Sequence, residues 1–252
     1  MNKKKAAIIS SISIGAIALS CLIGLVITGA NIGWGPFSFI YWPREVERVK
    51  REYPYAEYQE GIHFYGASNF RLWKEMTSDL KEYKVSNGGF GGSTDELMSH
   101  YAEELLYPYH PKIVFFQTAS NDFASIGGSD EYKLSTSLTR KKQMLASFHQ
   151  RMPEAKFVLM SGLLIPGRSQ FTDITIQLNQ AMDEYAAGID YLYFVNANDL
   201  TYSNGVYKTE LFINDGIHLT HEGQLLWCNG YIRPQIEELI ETYPELGSVK
   251  KL

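Results

Sequence analysis

The sequence predicts an α/β domain in which helices cover both faces of a five-stranded parallel sheet, preceded by one N-terminal transmembrane helix. Short runs of branched and aromatic residues alternate with helix-like segments from about residue 60 to residue 243. Such alternation is typical of a parallel sheet with helices on both faces. Residues 6–30 contain no charged side chain. At about 1.5 Å per residue, a helix of that length crosses a hydrocarbon core of roughly 30 Å.

The N-terminal residues 1–30 predict a membrane anchor. Lysines precede the apolar run, so residues 1–5 are expected in the cytoplasm, residues 6–30 in the lipid bilayer as a signal anchor, and the rest of the chain outside. Two alternatives also place the domain outside the cytoplasm: cleavage after Ala30, which would give a secreted protein, and lipidation at Cys21. A buried core helix is the remaining alternative.

The next segment, residues 31–59, is predicted to be an aromatic juxtamembrane linker, because several aromatic residues and two prolines follow the apolar run. The alternative is that this segment supplies a first strand of the domain. Within it, residues 44–53 are charged and are expected to form a short surface helix. The folded domain is expected to occupy residues 60–252.

Each element of the domain is predicted from its own pattern. The first strand is rich in aromatic and branched residues, and Phe70, Trp73 and Met76 then fall at helical spacing. Residues 166–167 are Pro-Gly and end the fourth strand, and Pro234 is expected to bend the last helix. The predicted strands are residues 62–65, 84–86, 112–118, 156–164 and 191–195. The predicted helices are residues 69–83, 95–106, 129–152, 174–187 and 219–243.

The composition is that of an ordinary globular protein. The chain has 252 residues, enough for one domain with a substantial core, and a formal net charge of −5. It has no basic stripe, which argues against a nucleic-acid partner. Because Cys21 lies in the apolar run, no structural disulfide with Cys228, the only other cysteine, is expected in the domain.

Four polar clusters each follow a predicted strand. Ligands of an open parallel sheet bind just beyond the carboxyl ends of its strands, so all four clusters are expected at one edge. Ser68 follows the first strand, and the other clusters are the glycine-rich residues 88–92, residues 119–122 and residues 214–218. A loop separates the last cluster from the fifth strand.

These clusters contain the groups that acyl transfer requires: a nucleophile, a base, a group that orients the base, and donors for an oxyanion. Ser68 lies at a predicted helix N-terminus, where free N–H groups favour negative charge. His218 follows Asp215 by three residues, so the carboxylate can hold one ring nitrogen while the other faces Ser68. The expected oxyanion donors are the Ser68 N–H, a glycine N–H of residues 91–92 and the Asn121 amide.

Each of these residues also has an ordinary structural alternative. A serine in a strand-to-helix turn is often a helix cap, and a glycine-rich segment is often a plain loop. Asn121 and Asp215 are both typical turn residues, and His218 is compatible with a surface position.

No cofactor and no metal ion are predicted. The glycine-rich segment lacks the lysine and hydroxyl residue of a Walker phosphate-binding loop. His218 and His221 have a spacing that is compatible with a metal ion, but no His-Glu-x-x-His or paired-cysteine pattern accompanies them. His221 is instead expected in the first turn of the last helix, facing solvent.

The four clusters together resemble the SGNH (GDSL-type) hydrolase family, and the resemblance extends over about residues 60–243. The matching blocks are residues 64–68, 87–94, 119–122 and 215–220. Ala67 and Ala119 stand where the family usually has an acidic residue and a glycine. With Ala67 the chain is similar to the platelet-activating-factor acetylhydrolase-like or lysophospholipase-like branch. Ala119 puts the shape of the site or of its loop in doubt.

The resemblance implies a three-layer, flavodoxin-like fold and a Ser68–His218–Asp215 triad, with Ser68, Gly92 and Asn121 forming the oxyanion hole. The predicted function is that of a membrane-anchored, extracytoplasmic serine esterase. Its substrate would be a lipid, a small acyl ester or an acylated glycan. One alternative is an acyltransferase or deacetylase that acts on cell-envelope polysaccharide with the same residues. Another is a catalytically inactive, anchored binding domain.

The sequence leaves the substrate and the oligomeric state open. Residues 164–171 and residues 202–212 are expected to line the acyl or alcohol pocket. Within the first of these loops, Arg168 is either a contact for an anionic substrate group or simply solvated.

Overall fold

The structure, a computed structural model, describes residues 41–251. The predicted basic tip, the predicted membrane anchor and the first part of the predicted linker all fall in residues 1–40, outside the described residues. Within the described part of the chain, no helix has both the length and the apolar character needed to cross a bilayer. Of the described residues, 49–251 belong to one compact unit and residues 41–48 to another.

The larger unit contains the expected five-stranded parallel sheet and one small hairpin. The strands are β1 (Ile62–Gly66), β2 (Val85–Asn87), β3 (Ile113–Gln117), β4 (Lys156–Met160), β5 (Leu192–Val195), β6 (Tyr202–Ser203) and β7 (Val206–Tyr207). The parallel strands pair in the order β2-β1-β3-β4-β5. This is the order of flavodoxin-like folds, which bind ligands where the strand order reverses. The reversal lies between β1 and β3.

The helices of the described residues are mostly short and follow the strands. They are α1 (Tyr41–Glu52), α2 (Tyr55–Tyr58), α3 (Ser68–Arg71), α4 (Met76–Asp79), α5 (Asp95–Leu105), α6 (Ser120–Ser125), α7 (Asp130–Arg151), α8 (Thr172–Ala186), α9 (Asn198–Thr201), α10 (His221–Trp227) and α11 (Arg233–Thr242). The predicted charged helix at residues 44–53 corresponds to α1, and the boundary between the two units falls inside it.

The central strands are covered on both faces, as the all-apolar strand pattern requires. Every residue of β1 and of β3 is buried. Phe64 packs toward Phe70 of α3, with ring centroids 5.2 Å apart. Successive residues of a strand point to opposite faces, and Tyr65 accordingly packs on Phe148 of α7, at 6.2 Å. The sheet is therefore the middle of three layers.

The predicted helix over residues 69–83 is wrong, because α3 ends at Arg71 and α4 begins only at Met76. The side-chain amide of Asn87 donates to the Phe70 carbonyl at 2.7 Å. In a continuous helix that carbonyl would accept from the Lys74 N–H, which instead donates to Leu72 at 3.0 Å. A single asparagine from β2 thus occupies the acceptor that the next helical turn would use.

The fourth strand is shorter than predicted and ends at Met160 rather than at residue 164. Asn179 of α8 takes over the backbone of Gly162: its Oδ1 accepts from the Gly162 N–H at 2.8 Å and its Nδ2 donates to the Gly162 carbonyl at 2.9 Å. With both backbone groups bound to a side chain, this residue has none left for a neighbouring strand.

The last helix is interrupted close to the predicted bend. A π-helical turn, Cys228–Ile232, separates α10 from α11, and Pro234 is the second residue of α11. Proline has no N–H to donate to the preceding turn, so a local irregularity of the helix just before Pro234 has a physical cause. A bend of the helix axis at Pro234 stays a prediction.

Candidate active site

Ser68 is the first residue of α3 and directly follows the carboxyl end of β1. The cap position of this helix is occupied by Ala67, and no side chain caps it. The hydroxyl oxygen of Ser68 instead lies 2.7 Å from His218 Nε2. Two residues separated by 150 positions in sequence are therefore in hydrogen-bond contact at the edge where the strand order reverses.

His218 is oriented by Asp215. The ring Nδ1 lies 2.6 Å from Asp215 Oδ2. The other oxygen, Oδ1, accepts the backbone N–H groups of Ile217 at 2.8 Å and of His218 at 3.0 Å. A carboxylate can only accept, so Nδ1 carries the proton and Nε2 is left as the acceptor for the Ser68 hydroxyl. The structure thus brings the predicted serine, histidine and aspartate into one hydrogen-bonded chain.

The charge on Asp215 is favoured by the same contacts. Partial burial by itself would raise the pKa of this carboxyl group. The hydrogen bonds from the His218 N–H, the His218 ring and the Ile217 N–H outweigh that effect and hold the pKa of Asp215 below its ordinary value. The ionised form of Asp215 is therefore favoured. Its negative charge can stabilise the imidazolium that forms when His218 takes a proton.

The loop that carries Asp215 and His218 is closed at its base. Phe212 and Leu219 form an antiparallel bridge, and the Ile213 N–H donates to the His218 carbonyl at 2.9 Å. The Leu219 N–H also approaches the side-chain oxygen of Asn69, at 3.5 Å. Asn69, the residue after the serine, thus joins the serine turn to the histidine loop. No local sequence pattern indicates this role for Asn69.

The glycine-rich segment presents Gly92 to the same edge. Gly92 has φ +72, and a Cβ placed on it would meet no atom within 4 Å. The glycine is therefore needed for its left-handed backbone and not for close packing. Among the described residues, no acceptor is bound to the backbone N–H of Gly92 or of Ser68. Both N–H groups are free to meet an oxyanion.

Asn121 lies in the first turn of α6, directly after β3. Its Nδ2 donates to the Ser93 carbonyl at 3.0 Å, next to Gly92. Its Oδ1 accepts from Arg168 Nη1 at 2.8 Å. The amide therefore bridges the loop after β2 and the loop after β4, rather than closing a turn on its own backbone.

Arg168 is not simply solvated. Its side chain is half-buried and bonds to both Asn121 and Ser120, the latter at 3.0 Å. Burial lowers the pKa of this guanidinium, and the nearby charge of Asp215 opposes that shift. The sequence shows only that Arg168 lies in a loop. Its contact with Asn121, the predicted oxyanion donor, could not be predicted from the sequence pattern.

A buried polar network connects the two segments that carry the predicted oxyanion donors Gly92 and Asn121. Lys141 Nζ lies 2.8 Å from Asp95 Oδ1 and 2.5 Å from Thr118 Oγ1. The backbone N–H of Asp95 donates to Asp122 Oδ1 at 2.9 Å. Burial, and next to it the charge of Asp95, raises the pKa of Asp122 to about 7. This network ties the start of α5, after the glycine loop, to the start of α6.

The described residues contain no group of three or more His, Cys, Asp or Glu side chains arranged to hold a metal ion. His221 begins α10, as predicted, and its Nε2 lies 3.0 Å from Asp79 Oδ2. The same Asp79 oxygen accepts from the Trp73 indole at 2.7 Å. The second histidine of the pair thus belongs to a separate, structural contact.

Taken together, the edge holds a hydroxyl bonded to an imidazole, a carboxylate behind that imidazole, and the unbound backbone N–H groups of Ser68 and Gly92. Such an arrangement can remove a proton from the hydroxyl as it attacks a carbonyl carbon, and can stabilise the resulting oxyanion.

The chain is similar to known proteins in sequence and in fold. Residues 58–226 match the model of a family described as the GDSL-like Lipase/Acylhydrolase family. No curated protein matches the chain. Since the matched segment includes the serine, glycine, asparagine and histidine loops, it covers the whole candidate site.

Three solved structures illustrate the likeness in fold. One, from Streptococcus pneumonia, is provisionally described as a platelet activating factor: it has 18% identity and a TM-score of 0.63, over 84% of this chain and 95% of that chain. A GDSL-like lipase from Bacteroides thetaiotaomicron has 20% identity and a TM-score of 0.59, over 77% and 97%. A variant of an acetyl-xylooligosaccharide esterase from Geobacillus Stearmophilus has 17% identity and a TM-score of 0.53, over 70% and 95%. At these identities the likeness shows the fold alone.

Proposed function

We propose, from the premise that this chain belongs to the GDSL-like lipase/acylhydrolase family, that it is a serine esterase whose nucleophile is Ser68. Membership of the family makes the chain a hydrolase of carboxylic ester bonds. Beyond this membership, we propose the roles of individual residues, the location of the domain and the substrate class.

The observation that carries the proposal is the continuous hydrogen-bonded chain from Ser68 through His218 to Asp215, at 2.7 Å and 2.6 Å. As Ser68 Oγ bonds to the ester carbonyl carbon, its proton passes to His218 Nε2. Asp215 stabilises the imidazolium that forms. The imidazolium then protonates the leaving alcohol, and water repeats the sequence to release the acid.

The oxyanion of the tetrahedral intermediate is assigned to three donors: the Ser68 N–H, the Gly92 N–H and the Asn121 amide. The first two have no described acceptor, and the amide keeps one N–H beyond its bond to Ser93. Donors that are already oriented stabilise the charge without reorganising during the reaction.

The proposed location is the outer face of a membrane. The support is the uncharged run of residues 6–30 behind a lysine-rich tip, which favours a signal anchor with residues 1–5 in the cytoplasm and the hydrolase domain, residues 60–252, outside. Cleavage after Ala30 would instead release the same domain. Fractionation of cells that express the full chain, with protease added from outside, distinguishes an anchored from a released domain.

The proposed activity is tested with Ser68→Ala in the full chain, using p-nitrophenyl acetate and a fluorophosphonate probe. We expect the variant to lose both hydrolysis and labelling, because the probe reacts only with an activated serine. Ser135→Ala is the matched control, since Ser135 is an exposed serine of α7. An unchanged rate of hydrolysis by Ser68→Ala would show that Ser68 is not the nucleophile. A wild-type chain that the probe does not label would favour an inactive binding domain.

Acylated glycans form a second substrate class to be examined, because one similar structure is a variant of an acetyl-xylooligosaccharide esterase. A panel of esters that varies the acyl length and includes acetylated oligosaccharides identifies the preferred class. Adding unacetylated sugar acceptors to the same reaction separates transfer from hydrolysis, since only a transferase forms a new acetylated sugar.

A further inference from the structure

Arg168 makes a direct hydrogen bond to Asn121. One guanidinium nitrogen, Nη1, lies 2.8 Å from Asn121 Oδ1 and 3.0 Å from Ser120 Oγ. The arginine belongs to the segment Pro166–Phe171, which follows β4, whereas Ser120 and Asn121 follow β3. The contact therefore joins two neighbouring loops of the carboxyl edge.

The Arg168 loop is itself fixed to the loop that carries Asp215 and His218. The Gly167 N–H donates to the Gly216 carbonyl at 2.8 Å. A Cβ on Gly167 would lie 2.5 Å from the Asp215 carbonyl oxygen, so only glycine permits this close approach. The backbone at Arg168 departs from the helical geometry of its neighbours, with φ −138 and ψ 41. Arg168 thus reaches Asn121 from a backbone that is held beside Asp215.

The contact fixes which end of the Asn121 amide faces which way. A guanidinium group only donates hydrogen bonds, so it must face the amide oxygen. The amide nitrogen then points the other way, where one N–H binds the Ser93 carbonyl at 3.0 Å. A flipped amide would place two donors against each other at Arg168 and an oxygen against an oxygen at Ser93. Both contacts therefore favour a single orientation.

The positive charge also strengthens the amide as a donor. A charged donor on Oδ1 draws electron density from the amide group and makes the N–H groups more positive, as hydrogen bonds in a chain polarise one another. We propose that Arg168 is a positioning residue of the oxyanion hole, which holds Asn121 with its free N–H toward the developing oxyanion. This inference rests on the proposed function of the site.

The test is a double-mutant cycle between Arg168 and Asn121 in the full chain. Arg168→Met removes every donor and keeps an unbranched apolar stem, and Arg168→Lys keeps the charge with a different geometry. Asn121→Ala removes the oxyanion donor, and the fourth member of the cycle is the double variant Arg168→Met/Asn121→Ala. Arg140→Met, which breaks a partly exposed ion pair with Glu96, is the matched control.

The rates are measured with p-nitrophenyl acetate, which has no anionic group near the ester. Asn121→Ala is expected to lower kcat by about 10²–10³-fold, as for other oxyanion donors. Arg168→Met is expected to lower kcat by about 10-fold or more with KM unchanged, and Arg168→Lys to lose less. In the Asn121→Ala background, Arg168→Met should change kcat by less than about twofold, because its target is gone.

Two results would overturn the inference. An equal loss on Arg168→Met in both backgrounds would show that Arg168 acts independently of Asn121. A loss confined to KM for anionic esters, with kcat for the acetate unchanged, would make Arg168 a substrate contact instead. A failure of the proposed function looks different, because Asn121→Ala and Ser68→Ala would then leave kcat unchanged. Thermal melts accompany each variant, and Arg168→Lys carries the cycle if Arg168→Met does not fold.

Discussion

Asp215 contacts His218 twice, once through each carboxylate oxygen. Oδ2 lies 2.6 Å from the ring Nδ1, and Oδ1 accepts the backbone N–H of the same histidine at 3.0 Å. The side chain of Asp215 therefore fixes both the ring and the backbone from which the ring projects.

Replacing Asp215 with asparagine should separate these two tasks. The amide oxygen can still accept the backbone N–H groups, but the NH₂ group would face Nδ1 and favour the tautomer with the proton on Nε2. That ring cannot accept the Ser68 proton, so kcat for an ester should fall by about 10⁴-fold with little change in Tm. Asp183→Asn, at an exposed carboxylate of α8, is the control. A wild-type kcat in Asp215→Asn would show that Asp215 does not orient the base.

Gly92 is expected to matter through its backbone alone. Since a Cβ at this position meets no atom within 4 Å, Gly92→Ala creates no clash, and the strain of a left-handed alanine is about 1–2 kcal/mol. Relief of that strain would turn the Gly92 N–H away from the oxyanion, and kcat should fall by up to about 10²-fold. Gly127→Ala has equally open surroundings and no positive φ, so its kcat and Tm should stay near wild type. Equal kcat values for Gly92→Ala and Gly127→Ala would show that the Gly92 N–H does not bind the oxyanion.

The parts of the site that the sequence predicted are those in which local pattern and topology agree. A parallel sheet places the carboxyl ends of all its strands at one edge. The sequence therefore predicts that Ser68, Asn121 and His218 lie close together without any knowledge of side-chain contacts. The hairpin turn at Asn204 and Gly205, which have φ of 52 and 80, carries the familiar Asn-Gly signal. The hairpin was nevertheless not predicted, because its strands are only two residues long and the segment was expected to be a loop.

The features that the sequence could not predict depend on contacts between distant residues. Asn87 ends α3 by taking one carbonyl of that helix, and Asn179 ends β4 in a similar way. Arg168 reaches Asn121 from another loop, and the Lys141–Asp95 pair is separated by 46 positions in sequence. None of these contacts leaves a periodicity or a local motif. Side-chain hydrogen bonds to a particular backbone group or distant charge become visible only in three dimensions.

Lys141 should be a strong determinant of stability. It and Asp95 form an ion pair with 3% and 0% of their side chains exposed, and removal of one partner leaves a buried charge without compensation. Lys141→Met should therefore lower the free energy of unfolding by about 3–5 kcal/mol, measured by urea denaturation. The double variant Lys141→Met/Asp95→Asn removes both charges and should recover part of this loss.

The neighbouring Lys142 provides the matched control for Lys141. Its Nζ lies over the ring of Tyr185 in α8, 4.6 Å from the centroid, and its side chain is only half-buried. Lys142→Met should lower the free energy of unfolding by less than about 1 kcal/mol. Similar urea midpoints for Lys141→Met and Lys142→Met would mean that the buried pair contributes no more than a surface contact.

His63 should make the stability of the domain depend on pH. It is buried in β1, where its Nε2 lies 2.7 Å from the Leu105 carbonyl and its Nδ1 lies 2.8 Å from Ser86 Oγ. The carbonyl only accepts, so the neutral ring donates from Nε2 and accepts at Nδ1. Burial lowers the pKa of His63 from 6.5 to about 3, against the opposing effect of the Leu105 carbonyl. A second proton therefore enters this ring far more readily in the unfolded chain.

The sign of the effect follows from this difference in proton uptake. Between pH 6.5 and about 3 the unfolded chain binds a proton at His63 that the native protein does not, so stability is lost as the pH falls, by up to about 1.4 kcal/mol per pH unit. Asp122 acts in the opposite direction, because its raised pKa of about 7 lets the native protein hold a proton that the unfolded chain releases. The pH dependence of wild type alone therefore cannot isolate His63.

The difference between wild type and His63→Gln isolates the contribution of this histidine, because the Asp122 contribution is common to both chains. We expect the stability advantage of wild type over His63→Gln to shrink steadily as the pH is lowered from 6.5 to 5 in urea titrations. His100→Gln, at an exposed histidine, is the control for the loss of one imidazole. A constant difference between wild type and His63→Gln across this pH range would mean that the buried ring already takes up its proton in the native protein, and that the strand tolerates a charge between Ser86 and Leu105.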